Sequence, residues 1–589
     1  MQSFNRVARD SIMAPEMSQG GLPRMLFGAL LLAGIVAALF TVSAPESLPV
    51  GPGSGAVAAP DAHAARVGEA VLRAGGNAVD AAVAVAFALA VTYPVAGNIG
   101  GGGFILIRHE GKHYLVDARE RAPLQASRDM YLDERKEVVE GKSLYGAFSI
   151  GVPGSVSGLW LAHRRFGKLE WSKLVVPAIE LAEKGFDADK DLEQDVASSM
   201  RDFKAAKFET NFEKYFGGVK AGRPLVQREL AETLRRIARE GADGFYKGRT
   251  AELIVQQVKR FGGLITQDDL AGYEAKWREP LNAKFPGLGL EIYTTPPPSS
   301  GGVALIQMLR MAEAKLDRAA AHNSKEYIHF VAEVEKRVFA DRAQFLGDPD
   351  FVKVPVDRLT EAGYCRRRIE TFDAGRITPT ESVKAGLESS ETTHYSILDA
   401  DGNAVSHTTT LNSGFGSGVV VEGAGFLLND EMDDFSAKPG VPNLYGVIGA
   451  EANAIAPGKR MLSSMSPTMA YAAGRELILG TPGGPTIFTS NFQIVLNVFH
   501  FRKPLAEAMA APRFHHQLFP KDQIDYENGR EPAKDVLSAL ESLGYKLRRR
   551  PSIGDEHAIL VETGGDAARV DAQSDPRGIG KSVVVPREK

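Results

Sequence analysis

No stretch restricts this chain more than the hairpin that begins at Glu391. Glu391-Thr392-Thr393-His394-Tyr395-Ser396 is rich in β-branched and aromatic residues and continues through Ile397-Leu398, which predicts a strand. The turn Asp399-Ala400-Asp401-Gly402-Asn403 closes it, and Ala404–Leu411 returns as its partner, carrying Thr408, Thr409 and Thr410 into Asn412-Ser413-Gly414. Hydroxyls crowded on two paired strands suit a threonine nucleophile whose own α-amine is the base. That chemistry requires the chain to be cut just before the threonine. A cut at Glu391–Thr392 would free an amine with a reference pKa of about 7.7–8.0, close to working pH. Taken alone, Thr-Thr at a strand start is an ordinary pair of β-formers, and its company has to decide.

The rest of the chain sets the context. Its 589 residues suggest three or four domains by length, and 44% hydrophobic with 24% charged residues is a globular composition. A net charge of −4 argues against a nucleic-acid partner, and Arg548-Arg549-Arg550 reads as a solvated loop. The single cysteine, Cys365, excludes an intrachain disulfide and any cysteine metal cluster, which leaves packing as its role. Residues 1–24 form a polar leader with Arg6, Arg9 and Arg24, and 25–42 are uncharged and apolar. Eighteen such residues lie between a signal-peptide core and a short membrane anchor, and both alternatives stand. Either one exports the remainder, to the periplasm or the extracellular side.

Residues 43–60, rich in Gly, Pro, Ala and Ser, read as a linker. A helix is expected over His63–Ala74, stopped by Gly75-Gly76, and Asn77 caps the next, apolar almost all round and therefore buried, to about Val91. Gly100–Gly103 precede a strand, Phe104–Arg108, turned by Glu110-Gly111-Lys112 into a second, His113–Asp117. No Gly-Lys-Ser/Thr directly follows those glycines and no helix begins there, so they mark close backbone approach rather than a phosphate loop. Helical spacing dominates 154–345, with a hairpin near 282–294, and 350–391 is polar and weakly periodic, a loose segment. Further strands are expected at Gly425–Leu428, Ser466–Ala472 and Glu476–Leu479, then a helix over Thr486–Phe499. A serine hydrolase would want Gly-x-Ser-x-Gly, which is absent. His515-His516, as strand neighbours, would face opposite sides, which suits packing better than a metal. Neither a metal nor a cofactor is expected.

Longer runs carry a resemblance. They are Gly75-Gly76-Asn77-Ala78-Val79-Asp80-Ala81-Ala82, Ala96-Gly97-Asn98-Ile99-Gly100-Gly101-Gly102-Gly103-Phe104, Asp117-Ala118-Arg119-Glu120 and Pro297-Pro298-Ser299-Ser300-Gly301-Gly302. Thr392-Thr393-His394-Tyr395-Ser396, Asp401-Gly402-Asn403-Ala404-Val405, Asn429-Asp430-Glu431-Met432-Asp433-Asp434-Phe435, Leu462-Ser463-Ser464-Met465-Ser466-Pro467-Thr468, Thr481-Pro482-Gly483-Gly484 and Pro512-Arg513-Phe514-His515-His516 follow. From about residue 58 onward the chain resembles the γ-glutamyltransferases of the Ntn-hydrolase superfamily. The resemblance implies an α+β fold, a four-layer α-β-β-α sandwich built from two autoproteolytic fragments that stay associated, 61–391 (large) and 392–589 (small, catalytic).

It also implies roles. Thr392 would attack the Glu391 carbonyl to cut the chain, then attack γ-glutamyl amides such as glutathione, giving an ester released to water or to an amino acid or dipeptide. Relatives often carry glutamine where Glu391 stands. Thr410 would orient Thr392, and Gly483-Gly484 would supply oxyanion N–H groups. Arg119, with Ser463 and Ser464, would answer the substrate α-carboxylate. Asn412, Glu431 and Asp434 would hold its ammonium, and Tyr445, in the loop 438–446, would close the pocket. Each has an ordinary structural alternative as β-former, turn or surface loop, and Asp430-Glu431-Asp433-Asp434 could instead bind a cation. Two rival readings remain: a cephalosporin or glutaryl acylase of the same superfamily, which needs no ammonium site, and a non-catalytic surface protein on this fold.

Overall fold

The computed structural model describes residues 53–380, 391–438, 451–563 and 568–587. Two stacked sheets organise them. One runs Lys581–Val585, Gly55–Ala59, Glu391–Leu398, Ala404–Asn412, Gly102–His109, Lys112–Ala118 and Lys276–Arg278 across its width. The other runs Ala568–Ser574, His557–Thr563, Arg475–Leu479, Thr468–Ala472, Leu290–Thr294 and Leu281–Phe285. Every neighbouring pair in both sheets is antiparallel. Sequence before and after residue 391 contributes strands to each sheet, so the chain segments on either side of the expected cut share both.

The two-residue period of each strand sorts its side chains between layers. Ala56, Ala58, Phe104, Leu106 and Leu398 meet Met469, Ile478, Ile487 and Ile559 between the sheets. The alternate residues Val57, Ile105, Ile107, Tyr395, Ile397 and Val405 pack outward on helices that include Ala78–Thr92 and Trp171–Lys184. On the far side, Ala470, Leu477, Leu479 and Ile292 pack on Gly301–Lys315, Lys325–Phe345 and Thr486–Phe499. The result is the expected α-β-β-α order.

Helix Ala78–Thr92 is buried along its whole length. Asn77 starts it with a capping box: its Oδ1 accepts from Val79 N at 3.0 Å and Asp80 N at 2.9 Å, while Asp80 Oδ2 accepts from Asn77 N at 3.0 Å. Losing that cap would cost about 1 kcal/mol. The four glycines after it do mark close approach. A Cβ on Gly100, Gly101 or Gly103 would lie 2.1, 2.0 or 2.2 Å from the carbonyl oxygens of Leu427, Thr410 and Thr408.

Four expectations are corrected. Gly55–Ala59, read as the end of a linker, is a buried strand, because its small apolar side chains fit between two neighbours and two packed faces. Gly425–Leu428 makes only the isolated bridge Val420–Leu427, since Gly425 has φ +76° and breaks the extended run. Arg548-Arg549-Arg550 lies on the strand Lys546–Arg550, with Arg548 donating to Asp525 at 2.5 and 2.8 Å. The segment after 350 is less loose than expected: Val356–Thr360 and Ala362–Ile369 are helical. Glu333, Lys336 and Arg337 bind Thr378 at 2.7–3.0 Å. Helix Lys190–Ala206 falls inside the stretch expected to be mostly helical. Cys365 is buried, its thiol pushed up to about 12 by burial, in keeping with a packing role. No helix among the described residues is long and apolar enough to cross a membrane, and residues 25–42 lie outside them.

Candidate active site

Thr392 is the second residue of its strand and is buried. Its face is shared by His394 and Ser396 and looks into the second sheet: Ser396 Oγ donates to His557 O at 2.9 Å, and the His394 ring lies against Gly480. Thr392 Oγ1 lies 3.5 Å from Thr410 Oγ1 on the neighbouring strand. The register of the two strands slips between Thr409 and Asn412, and Asn412 takes φ +81° at that slip. Its backbone N–H donates to Thr410 Oγ1 at 2.8 Å, and its Nδ2 donates to Asp430 O at 3.0 Å. The strand end is thereby joined to the acidic turn at Glu431–Asp434.

Arg119 sits fully buried at the other side of that turn. Its two terminal nitrogens pair with Glu431 and Asp434, and one lies 3.4 Å from Glu120. It also donates to Met461 O at 3.2 Å and Leu462 O at 3.1 Å, which seats it beside Ser463 and Ser464. Burial acts to lower the Arg119 pKa, but Glu431, Asp434 and Glu120 outweigh it and raise it. The acids respond oppositely. Burial raises Glu431 and Asp434 despite Arg119, and holds Glu120 up at about 7. One guanidinium therefore faces three buried carboxyl groups, partners that a zwitterionic ligand could exchange.

Ser463 offers its carbonyl to Ser300 N (2.6 Å) and Ser300 Oγ (2.7 Å), and Ser464 Oγ lies 3.5 Å from Ser300 Oγ. Gly483 and Gly484 have φ +127° and +54°, values that glycine adopts freely, just before helix Thr486–Phe499. Their carbonyls accept from Thr486 N at 3.0 Å and Ile487 N at 3.1 Å. Tyr445 and the rest of 439–450 lie outside the described residues, as does the Glu391 side chain.

Several residues in this network were not singled out from sequence. Asn98 bridges Gly101 N (2.9 Å) and Thr410 O (2.9 Å), and Asn429 Oδ1 accepts from Glu431 N at 3.0 Å. Asn453 ties Asp434 O (2.7 Å) to Leu462 N (3.0 Å). Arg342 donates to Ser300 Oγ at 2.9 Å, its pKa lowered to about 9 by burial against the pull of Asp434. Asn98, Asn429 and Ser300 fall inside the matching runs; Asn453 and Arg342 carry no local signal at all.

The metal alternatives find no support in the geometry. Glu431 and Asp434 turn to Arg119 while Asp433 accepts from Ser143 Oγ at 2.5 Å, so the acids diverge. His515 and His516 bond Thr489 and Gln523 respectively. His109-Glu110-Gly111-Lys112-His113 does spell a zinc-type His-Glu-x-x-His motif. It crosses a hairpin rather than lying on a helix, with His109 packed on Phe166 and His113 stacked on Tyr293. Among the described residues no group of His, Cys, Asp or Glu is arranged to hold a metal.

Two stacked antiparallel sheets between helices, with a threonine at a strand head facing between them, define an Ntn hydrolase. The fold is shared with cephalosporin acylase from Bacillus halodurans at TM-score 0.79 and 24% identity, over 93% of this chain and 98% of that one. The gamma-glutamyltranspeptidase family profile matches residues 64–585. A glutathione hydrolase proenzyme from Pseudomonas aeruginosa is 53% identical over 95% of this chain and 99% of its own. The structure of gamma-glutamyltranspeptidase from Pseudomonas nitroreducens complexed with L-DON is 51% identical with TM-score 0.54, over 56% of this chain and 97% of that one. The chain belongs to the gamma-glutamyltranspeptidase family, and it is an enzyme.

Proposed function

We propose that the chain is a self-processing γ-glutamyltransferase and glutathione hydrolase in which Thr392 acts twice. Its hydroxyl first attacks the Glu391 carbonyl, the acyl group moves from nitrogen to oxygen, and water releases the new terminus. The freed α-amine then takes the hydroxyl proton as Thr392 attacks a γ-glutamyl amide. The departing amine receives that proton, leaving a γ-glutamyl ester on Thr392. Water, or the amine of an amino acid or dipeptide, releases it. Gly483 and Gly484 supply N–H groups to the oxyanion, where preorganised donors contribute most to rate.

The observation that carries this reading is the buried Arg119–Glu431–Asp434 cluster, joined through Asp430 and Asn412 to the Thr410–Thr392 pair. An α-amino acid head group presents one anion and one cation. Arg119 with Ser463 and Ser464 takes the carboxylate, Glu431, Asp434 and Asn412 take the ammonium, and Tyr445 closes over both. A glutaryl acylase would have no use for the acidic half. Equal turnover of glutaryl and γ-glutamyl amides would therefore favour the acylase. The N-terminal segment 25–42 exports the enzyme, as cleaved signal or as anchor, and the two fragments remain one body because both sheets need both.

Intact mass measurement with N-terminal sequencing tests the reading. A light chain beginning at Thr392 is expected; one uncut chain, stable on long incubation, overturns it.

A further inference from the structure

Asp430 has no role in the chemistry described so far, yet it is fully buried beside it. It holds the end of the Thr410 strand at three points. Its N–H donates to Leu411 O (2.9 Å), its carbonyl accepts from Asn412 Nδ2 (3.0 Å), and its Oδ1 accepts from Ser413 N (2.9 Å). Between those points Asn412 is left-handed at φ +81°, which costs a non-glycine residue about 1 kcal/mol or more. This is where the register of the strand pair slips. The same turn directs the Asn412 N–H at Thr410 Oγ1, the atom 3.5 Å from Thr392 Oγ1.

The neighbouring acids do other work. Glu431 and Asp434 face Arg119, and Asp433 is bound by Ser143. Asp430 Oδ1 faces the Ser413 backbone instead, and its second oxygen has no hydrogen-bond partner. What Ser413 N–H requires there is an acceptor of the right reach. A negative charge is not needed, and burial, with Asp433 adding to it, pushes the Asp430 carboxyl well above the ordinary carboxylate range despite its bonds from Ser413.

We propose that Asp430 is a positioning residue: by holding Leu411–Asn412–Ser413 in the left-handed bulge it aims the Asn412 N–H at Thr410 and so sets Thr410 against the nucleophile. The inference rests on the reading of Thr392 given above. It makes the geometry of the acceptor, not the charge, the property that matters. An amide oxygen in its place serves equally well; a methyl group does not.

The test uses the full chain carrying Asp430→Ala, Asp430→Asn or Thr392→Ala. Cleavage at Glu391–Thr392 is followed by intact mass. Turnover of a chromogenic γ-glutamyl anilide is measured per site titrated with a γ-glutamyl affinity reagent. Asp430→Ala should slow both cleavage and kcat by roughly 10- to 100-fold, the scale of a misplaced reacting group, with KM within about 3-fold. Asp430→Asn should stay within about 3-fold of the parent in both, because its Oδ1 accepts the same bond. If Asp430→Ala yields no soluble chain, Asp430→Ser, whose hydroxyl falls short of Ser413 N, carries the test with the same expected split. Parental kcat in the Ala variant, an Asn variant as impaired as the Ala variant, or a rise in KM alone would each overturn the proposal. Self-cleavage of Thr392→Ala would instead overturn the nucleophile assignment, so the two failures are separable.

Discussion

Replacing Arg119 by lysine probes the proposed substrate pocket without removing its charge. The arginine fork meets five acceptors: Glu431, Asp434, Glu120 at 3.4 Å, Met461 O at 3.2 Å and Leu462 O at 3.1 Å. A lysine ammonium is a point charge with three donors and cannot span carboxylates and two carbonyls at once. In the substrate complex the second hydrogen bond of the fork to the incoming carboxylate is lost, one bond to a charged group at roughly 2–3 kcal/mol. At about 1.4 kcal/mol per tenfold, that is a fall in kcat/KM of roughly 30- to 150-fold, mostly in KM if the carboxylate is held equally in ground and transition states. The assay is initial-rate hydrolysis of a γ-glutamyl anilide, with cleavage at Thr392 followed in parallel by mass. Cleavage should proceed, because the Glu391–Thr392 bond presents no α-carboxylate to Arg119. Unchanged kinetics would refute the assignment of Arg119, and loss of cleavage alongside loss of turnover would show that it supports the fold rather than the substrate.

Thr392→Ala should abolish both chain cleavage and turnover, leaving one full-length species by mass; residual cleavage at the same bond would contradict the mechanism. Gly483→Ala places a Cβ 2.2 Å from Thr486 Oγ1 at φ +127°, so kcat should fall on the order of 100-fold, as for loss of an oxyanion donor, read by steady-state kinetics. Glu556 is buried beside Arg513, Asp575, Asp555 and Arg577, and its carboxyl is pushed up to about 8, mainly by burial and partly by the two aspartates, with the arginines opposing. Its folded pKa lies above its unfolded value, so the unfolded state ionises first and stability declines as pH rises from about 4.5 to about 8. Glu556→Gln removes that decline, so its melting temperature relative to the parent should rise by a few degrees from about pH 5 to about pH 8. Parallel pH profiles would show that Glu556 does not titrate in this window.

Local chemistry wrote much of this molecule legibly. The Thr392–Leu411 hairpin, the Asn77 cap, the buried alanine-rich helix, the close-approach glycines and helix Thr486–Phe499 all follow from side-chain shape and period over a few residues. Two of the misreadings share one cause. Gly55–Ala59 has a linker's composition and becomes a strand only because two partners lie on either side of it. Lys546–Arg550 is too charged to look like a strand, yet it pairs with Gln523–Glu527 and finds Asp525 there. Partners supplied from far along the chain override local preference in both cases.

The site divides the same way. Residue type suggested a threonine that could be a nucleophile; the glycines, the arginine and the acids were singled out only through the resemblance of the runs that hold them. Only the tertiary structure brings Arg119 to Glu431, 312 positions away, and seals both from water. Only there does the left-handed turn at Asn412 meet the Asp430 carbonyl, 18 positions on. Periodicity and turn chemistry are properties of neighbours in sequence. Burial, pKa and the pairing of charges depend on which distant residues exclude the solvent, and folding alone determines those.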